Sequence, residues 1–153
     1  MDRAISIVDI AEHLKDYKNV VIDIYGNASS EVLGLFKNYA CIHYHGSISY
    51  EKLIEFYSKS NLLLHVEGFS EYYLKDCKYA FSTKISDGLI SGIPFFAYGS
   101  DQISGIKFLK KLNPDYVACS KDELSKLDSI IKNNSYKVDY KLINDLFGIK
   151  NNL

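Results

Sequence analysis

The sequence predicts an α/β domain, namely a doubly wound, Rossmann-like three-layer sandwich around a mostly parallel sheet of about five strands. Short apolar and β-branched runs alternate with amphipathic stretches of helical length, which is typical of βαβ units. The run Asn61–Val66 is apolar almost throughout, as expected of a strand that a parallel sheet buries on both faces. The chain has 153 residues, which is enough for a single domain with a hydrophobic core.

The predicted strands and helices alternate along the chain. This order favours βαβ units, a parallel sheet and right-handed crossovers. The predicted strands are Val20–Gly26, Cys41–Gly46, Asn61–Val66, Pro94–Gly99 and Asp115–Cys119. The predicted helices are Ile5–Tyr17, one from Ser29 or Ser30 to Tyr39, one capped by Ser49, Thr83–Ser91, Gln102–Lys111, Lys121–Ile131 and Tyr140–Phe147. We expect residues 1–153 to form one domain, with an N-terminal helical segment over about 1–19 and a C-terminal helix and tail over 134–153.

Composition narrows the class of protein. The formal net charge of −1 argues against a nucleic-acid-binding protein, which usually carries a basic excess. The three cysteines, Cys41, Cys77 and Cys119, are an odd number without C-x-x-C spacing, which favours reduced thiols in the cytoplasm. No apolar run approaches the ~18 residues of a membrane span, and the N-terminus lacks the apolar region of a signal peptide.

The stretch FSTKISDGLISGIPFFAYG places two hydroxyl groups and a lysine at a predicted helix start. If Ser82 or Thr83 is the N-cap, the helical period puts the polar side chains on one face and the apolar ones on the opposite face. The polar face holds Thr83, Lys84, Asp87 and Ser91, and the apolar face holds Ile85 and Leu89.

Such a helix start favours an anion, above all a phosphate, because its backbone N–H groups and its dipole attract negative charge. Lys84 adds a positive charge, and Asp87, one turn further, can accept hydrogen bonds from ribose hydroxyls. The alternative is a capped helix with a solvated Lys84–Asp87 pair. Gly88 lies in mid-helix, where glycine is unfavourable, so its presence indicates close packing.

In a doubly wound fold, ligands bind outside the carboxyl ends of the strands. The predicted carboxyl ends are Gly26–Asn27, His45–Ser47, Glu67–Phe69 and Gly99–Asp101. We expect the functional site at this edge of the sheet.

Three stretches together resemble the retaining, group-1 type glycosyltransferases, whose two Rossmann-like lobes form the GT-B arrangement. FSTKISDGLISGIPFFAYG resembles a family segment that reads roughly S-T-K-x-x-E-Y-L-A-x-G-K-P-V-L-A-Y. VVIDIYGN resembles a strand that ends in Y-G, and IHYHGSISYEKLIEFYSKSNLLLHV resembles the family's H-G stretch with the following strand. The resemblance covers about Val20 to Ala118 and concerns the C-terminal lobe, which holds the nucleotide-sugar donor.

The resemblance implies a role for each matching residue. Gly46 and Ser47 would lie against the base, and Glu67 and Gly68 would lie at the sugar, with Glu71 as a rival of Glu67. The residues that would meet the diphosphate are Ser82, Thr83 and Lys84, and Asp87 would bind the ribose. Lys84 and Glu67 are the candidate catalytic residues.

The resemblance also implies the reaction, which is transfer of a sugar from a nucleotide diphosphate to an acceptor hydroxyl. The family works without a metal, and no D-x-D tripeptide occurs in the chain. No cofactor is implied beyond the nucleotide-sugar substrate. The acceptor, a glycan or a lipid-linked sugar, would bind a second lobe, and the full enzyme would work in the cytoplasm, in some cases at the inner face of the membrane.

The chain departs from the family in three ways. The insertion SEYYLKDCKYAF separates Glu67 from Asp87, whereas the two acidic residues of the family lie closer together. The family's arginine and lysine at the start of the lobe have no counterpart, and Arg3 is the only arginine nearby. The first strand of the lobe and its glycine turn are also missing. We therefore expect a truncated piece or a half-enzyme that is inactive as an isolated lobe.

Other interpretations remain open. A non-catalytic or regulatory Rossmann-like interaction domain would have the same architecture but no nucleotide affinity. A receiver domain needs an acidic pair after its first strand and an aspartate after its third, but the nearest corresponding residues are Asn27 and Glu67. A dinucleotide-dependent oxidoreductase is disfavoured because the motifs G-x-G-x-x-G and G-x-x-x-x-G-K are absent. The aromatic residues of the insertion form an acceptor platform, a folded cap or a disordered loop.

The histidines are the remaining candidates for chemistry. His43 and His45 share one face of a predicted strand, and His65 ends the next strand. A zinc ion needs a third ligand, and neither a cysteine nor a carboxylate has an obvious spacing. The sequence therefore predicts no metal site.

Overall fold

The structure, a computed structural model, describes residues 1–133 and has the predicted α/β fold. The predicted helix Tyr140–Phe147 and the tail lie outside the described residues. The strands are β1 (Ile22–Tyr25), β2 (Ile42–Gly46), β3 (Leu63–Val66), β4 (Phe95–Tyr98) and β5 (Val117–Ala118). The helices are α1 (Asp2–His13), α2 (Ser30–Phe36), α3 (Tyr50–Lys59), α4 (Glu71–Cys77), α5 (Thr83–Ile90), α6 (Ser104–Leu112) and α7 (Ser125–Asn133).

The five strands form two sheets, which corrects the prediction of one five-stranded sheet. β1 pairs with β2 in parallel, and β4 lies between β3 and β5 in a parallel three-stranded sheet. In register, Ile22 lies opposite Ile42, Leu63 opposite Phe95, and Ala97 opposite Val117. Within residues 1–133, β1 and β3 are not paired with each other, and residues of both strands line a cavity.

The three-layer arrangement follows from the alternation of side chains along β4, whose residues are all buried. Phe96 and Tyr98 pack in a core with residues of α1 and α7. Phe95 and Ala97 pack in a second core with residues of α5 and α6. Since successive side chains of a strand point to opposite faces, helices cover both faces of this sheet.

Serine side chains begin four of the helices by accepting a backbone N–H of the first turn, which explains where these helices start. The capping serines are Ser29, Ser49, Ser70 and Ser82. The predicted caps at Ser29, Ser49 and Ser82 are thus confirmed. Helix α4 was not predicted, because it lies in the insertion, where the sequence suggested only a cap or a loop.

The close packing predicted at Gly88 is confirmed. A Cβ at this position would lie 2.3 Å from Cε2 of Phe95, so the ring of β4 occupies the space that a side chain would need. Helix α5 therefore approaches the sheet more closely than any residue other than glycine would allow.

Gly88→Ala is accordingly expected to lower the free energy of unfolding by about 1–3 kcal/mol, the usual cost of overpacking a core. Gly34→Ala is the matched control, because a Cβ added to Gly34 in α2 would meet no atom within 4 Å. It should raise the free energy of unfolding by up to about 1 kcal/mol through helix propensity. Urea unfolding of both variants measures the difference, and equal effects would contradict the packing argument.

Candidate functional site

The carboxyl ends of β3 and β4 meet two helix starts. Ser6 of α1 donates a hydrogen bond to the carbonyl of Glu67, which follows β3 (2.7 Å), so the start of α1 lies at this edge. Helices α4 and α5 connect β3 to the parallel strand β4. The backbone N–H and the hydroxyl of Ser104, at the start of α6 after β4, donate hydrogen bonds to the carbonyl of Lys78, so the segment that leads into α5 lies at the same edge. The N-termini of α1 and α5, which carry the positive ends of their helix dipoles, consequently lie where this fold class binds its ligands.

Glu67 is the most constrained residue at this edge. It is only 3% exposed, and its carboxylate accepts hydrogen bonds from Nε (2.9 Å) and Nη2 (3.2 Å) of Arg3. The hydroxyl of Tyr73 donates a further, short hydrogen bond to Oε2. Nε2 of the buried His65 lies 3.3 Å from Oε1 but makes no hydrogen bond.

The charge of Glu67 is stabilised by these neighbours. Burial alone would raise the pKa of Glu67, but contact with His65, Tyr73 and Arg3, together with the Arg3 charge, lowers it to about 2. Burial and the adjacent carboxylate raise the pKa of Tyr73, which therefore stays a hydrogen-bond donor. Glu67 is thus an ionised, fully engaged carboxylate rather than a free acid or base.

Arg3 is the functional candidate that sequence reasoning missed. Its side chain is 54% exposed although the guanidinium binds Glu67, so part of its donor capacity faces solvent. A cation in the first turn of a helix is disfavoured by the helix dipole, and this local signal could have indicated a specific partner. The partner itself lies 64 residues away, beyond the reach of any local pattern.

The predicted polar face of α5 is present. Ile85 and Leu89 are buried, whereas Thr83, Lys84 and Asp87 are exposed. The side chain of Ser82 accepts the N–H of Lys84 at 3.3 Å. Lys84 lines the cavity between the sheets, and Asp87 lies close enough to Tyr57 of α3 to raise its pKa, second to burial.

The glycines of the candidate site differ in their surroundings. Gly46 ends β2 with a positive φ of 75°, and the hydroxyl of the next residue, Ser47, donates a hydrogen bond to Asn27 (2.6 Å). Gly68 has no room for a side chain, because a Cβ would lie 2.6 Å from Cβ of Asp2. Gly68 therefore allows the start of α1 to pack against the end of β3.

A cavity of about 720 Å³ separates β1 from β3. Both strand edges line it, and side chains of α3, α5 and α7 complete its wall. Three of its polar lining residues are Asp23, His65 and Lys84. Lys84, the predicted phosphate-binding residue, thus lies beside the space between the two sheets.

The predicted site residues fall into three groups. Glu67 and Gly68 lie with Arg3 and Tyr73, Ser47 lies with Asn27, and the residues from Ser82 to Asp87 lie at the start of α5. Within residues 1–133, no hydrogen bond or ion pair joins one group to another. The first two groups lie at the carboxyl ends of strands. The third group lies at the start of a helix at the same edge.

The histidines are separated by the fold. His65 lies against Glu67, whereas His43 and His45 lie on the exposed face of β2 beside Asp23 of β1. The pairing of β1 and β2 therefore brings a carboxylate, that of Asp23, beside the two histidines, for which the sequence showed no third candidate metal ligand.

Comparison with known proteins adds no relative: no protein-family model matches the chain, and no curated protein matches it. Among the helices in residues 1–133, none has the length and apolar character needed to cross a membrane.

Proposed function

We propose that the chain is the nucleotide-sugar donor-binding lobe of a GT-B glycosyltransferase, with the diphosphate at the start of α5. One observation carries this proposal, namely that a serine-capped helix begins at the carboxyl edge of a parallel sheet with Lys84 beside the cavity. Backbone N–H groups, the helix dipole and a lysine ammonium group form a site suited to phosphate.

The charges around this helix start also favour an anion. Lys84 is exposed and takes part in none of the ion pairs found in residues 1–133. The guanidinium of Arg3, oriented by Glu67, is a second cation at the carboxyl edge. Asp87, on the α3 side of α5, is the candidate acceptor for ribose hydroxyls.

The strand order supports a Rossmann-like lobe that lacks its first strand. The order across the two sheets is β2, β1, cavity, β3, β4, β5 if the facing edges are taken as neighbours. The doubly wound order of such lobes is 3-2-1-4-5-6, in which the first strand lies at the centre. The cavity occupies the place of that strand, and we propose that a strand directly preceding α1 completes the sheet.

The proposed chemistry is transfer of the sugar to an acceptor hydroxyl without a metal. Lys84 and the start of α5 would stabilise the negative charge that grows on the leaving diphosphate. Glu67 would act as a positioning residue that holds Arg3, because its own oxygen atoms are occupied. A second lobe would bind the glycan or lipid-linked acceptor and exclude water, so the lobe alone would be inactive.

A second candidate is a non-catalytic or regulatory interaction domain. The engagement of Glu67 favours it, because the carboxylate at the proposed sugar end of the site is already bound by Arg3 and Tyr73. This alternative predicts no affinity for nucleotides.

Calorimetric titration of uridine and guanosine diphosphates into the domain tests the proposal. We expect a dissociation constant in the micromolar to millimolar range for one of them. Lys84→Ala should weaken binding about tenfold or more, since a hydrogen bond to a charged group contributes about 1.5–3 kcal/mol. Asp87→Ala should weaken binding of the nucleotide but not of inorganic pyrophosphate, which has no ribose.

Lys111→Ala is the matched control, because it removes an exposed lysine from the last turn of α6, at the opposite edge of the sheet. It should leave nucleotide affinity unchanged. Absence of binding, or equal losses in Lys84→Ala and Lys111→Ala, would remove the proposed site.

A further inference from the structure

We infer that Asp23, His43 and His45 form a binding site for a first-row divalent cation such as Zn²⁺. The three residues each offer one ligand atom, and these atoms all lie within 4.8 Å of one another. Two imidazoles and one carboxylate are ligands that Zn²⁺ accepts, and three protein ligands leave one coordination position for water. Asp23 also lines the cavity beside which Lys84 lies, whereas His43 and His45 are not among the residues that line it.

The parallel pairing of β1 and β2 creates this arrangement. Asp23 lies opposite His43 in the register, and His45 lies two residues further on the same face of β2. Oδ1 of Asp23 is 2.6 Å from Nε2 of His45 and 3.9 Å from Nδ1 of His43. Ligand atoms about 2.0–2.1 Å from a tetrahedral zinc ion are about 3.3 Å apart, so small side-chain rotations suffice.

Neighbouring rings restrict the orientation of the ligands. The ring of His45 stacks on Tyr25 at 4.8 Å with an interplanar angle of 16°, and Tyr25 stacks in turn on Phe56 of α3. This packing reduces the entropy that His45 loses when it binds a cation. All three ligands are exposed, so a hydrated ion can reach them.

A bound ion would also link the two strands of the smaller sheet. The only strand partner of β1 within residues 1–133 is β2, and a cation held by both strands adds a connection besides the backbone hydrogen bonds. Because the folded state binds the ion and an unfolded chain does not hold this geometry, zinc should raise the melting temperature.

Titration of the whole chain with Zn²⁺ under reducing conditions tests the inference. We expect one ion per chain, and His43→Ala, His45→Ala and Asp23→Asn should each weaken binding by at least about tenfold. Co²⁺ should give d–d absorption without a thiolate charge-transfer band, which excludes the free cysteines as ligands. Circular dichroism should show that each variant keeps the fold, since the substituted side chains are exposed.

His13→Ala is the matched control. Nε2 of His13 lies 2.8 Å from Asp128, so this pair has one histidine and one carboxylate but no third ligand in residues 1–133. It should leave zinc affinity unchanged. Absence of binding, a thiolate band, or an equal loss in the control would overturn the inference.

Discussion

Acidification from about pH 4.5 to pH 2 is expected to remove about 3 kcal/mol of unfolding free energy through Glu67. The pKa of this carboxyl is lowered from 4.5 to about 2 in the folded chain. The carboxyl of Glu67 therefore binds a proton more tightly in the unfolded chain. The contribution of Glu67 to the unfolding free energy is present above pH 4.5 and is lost as the pH falls towards 2. A difference of this size between the two states corresponds to about 3 kcal/mol.

Urea unfolding as a function of pH measures this effect. Glu67→Gln should flatten the dependence on pH between 4.5 and 2, and it should lower stability at neutral pH because Arg3 loses its charged partner. Glu71→Gln is the matched control, since it makes the same chemical change at an exposed position of α4. If both variants keep the slope of the original chain, the Glu67 cluster does not store this free energy.

Features that depend on neighbouring residues were predictable from the sequence. The cap at Ser82 and the buried face of Ile85 and Leu89 follow from hydroxyl capping and the helical period, and both are present in α5. The apolar run of β3 and the packing at Gly88 follow from similarly local arguments. Such signals lie within one element, so the sequence displays them directly.

Features that depend on pairing between distant segments were not predictable. Arg3 and Glu67 are 64 residues apart, and Asp23 meets His45 only through the register of β1 and β2. The division into two sheets had the same origin, because nothing within Val20–Tyr25 or Asn61–Val66 shows whether these runs are neighbours. Strand order is a property of the whole chain rather than of any strand.

An added strand before α1 is expected to raise the melting temperature on the order of 10 °C. The cavity between the sheets exposes the facing edges of β1 and β3, each four residues long. A parallel strand between them would pair with both edges and bury apolar side chains in the 720 Å³ space. Ordering the segment costs about 1–2 kcal/mol per residue. The ladder hydrogen bonds, at about 0.5–1.5 kcal/mol each, offset this cost only together with the burial of the apolar side chains, at about 1.5–3 kcal/mol each.

The test is an N-terminal extension of six alternating valine and isoleucine residues, joined to Asp2 by a short glycine-rich turn. The turn lets the strand end at the carboxyl edge, where α1 begins. The new strand, α1 and β1 then form a βαβ unit, and such units are right-handed in nearly all proteins. Hydrogen exchange should slow at the backbone amides of Ile22–Tyr25 and Leu63–Val66. The same extension with proline at alternate positions is the control, because proline removes the N–H groups that the ladder requires.

The outcome distinguishes a sheet with a vacant central position from two sheets that are complete without one. If the valine–isoleucine extension slows exchange at both β1 and β3 in a monomer, one strand has joined the two sheets. Slower exchange at β1 alone, or an equal effect of the proline control, would show that the cavity does not accept a strand. The Rossmann-like order would then lose its physical support, because that order requires the first strand to pair on both sides.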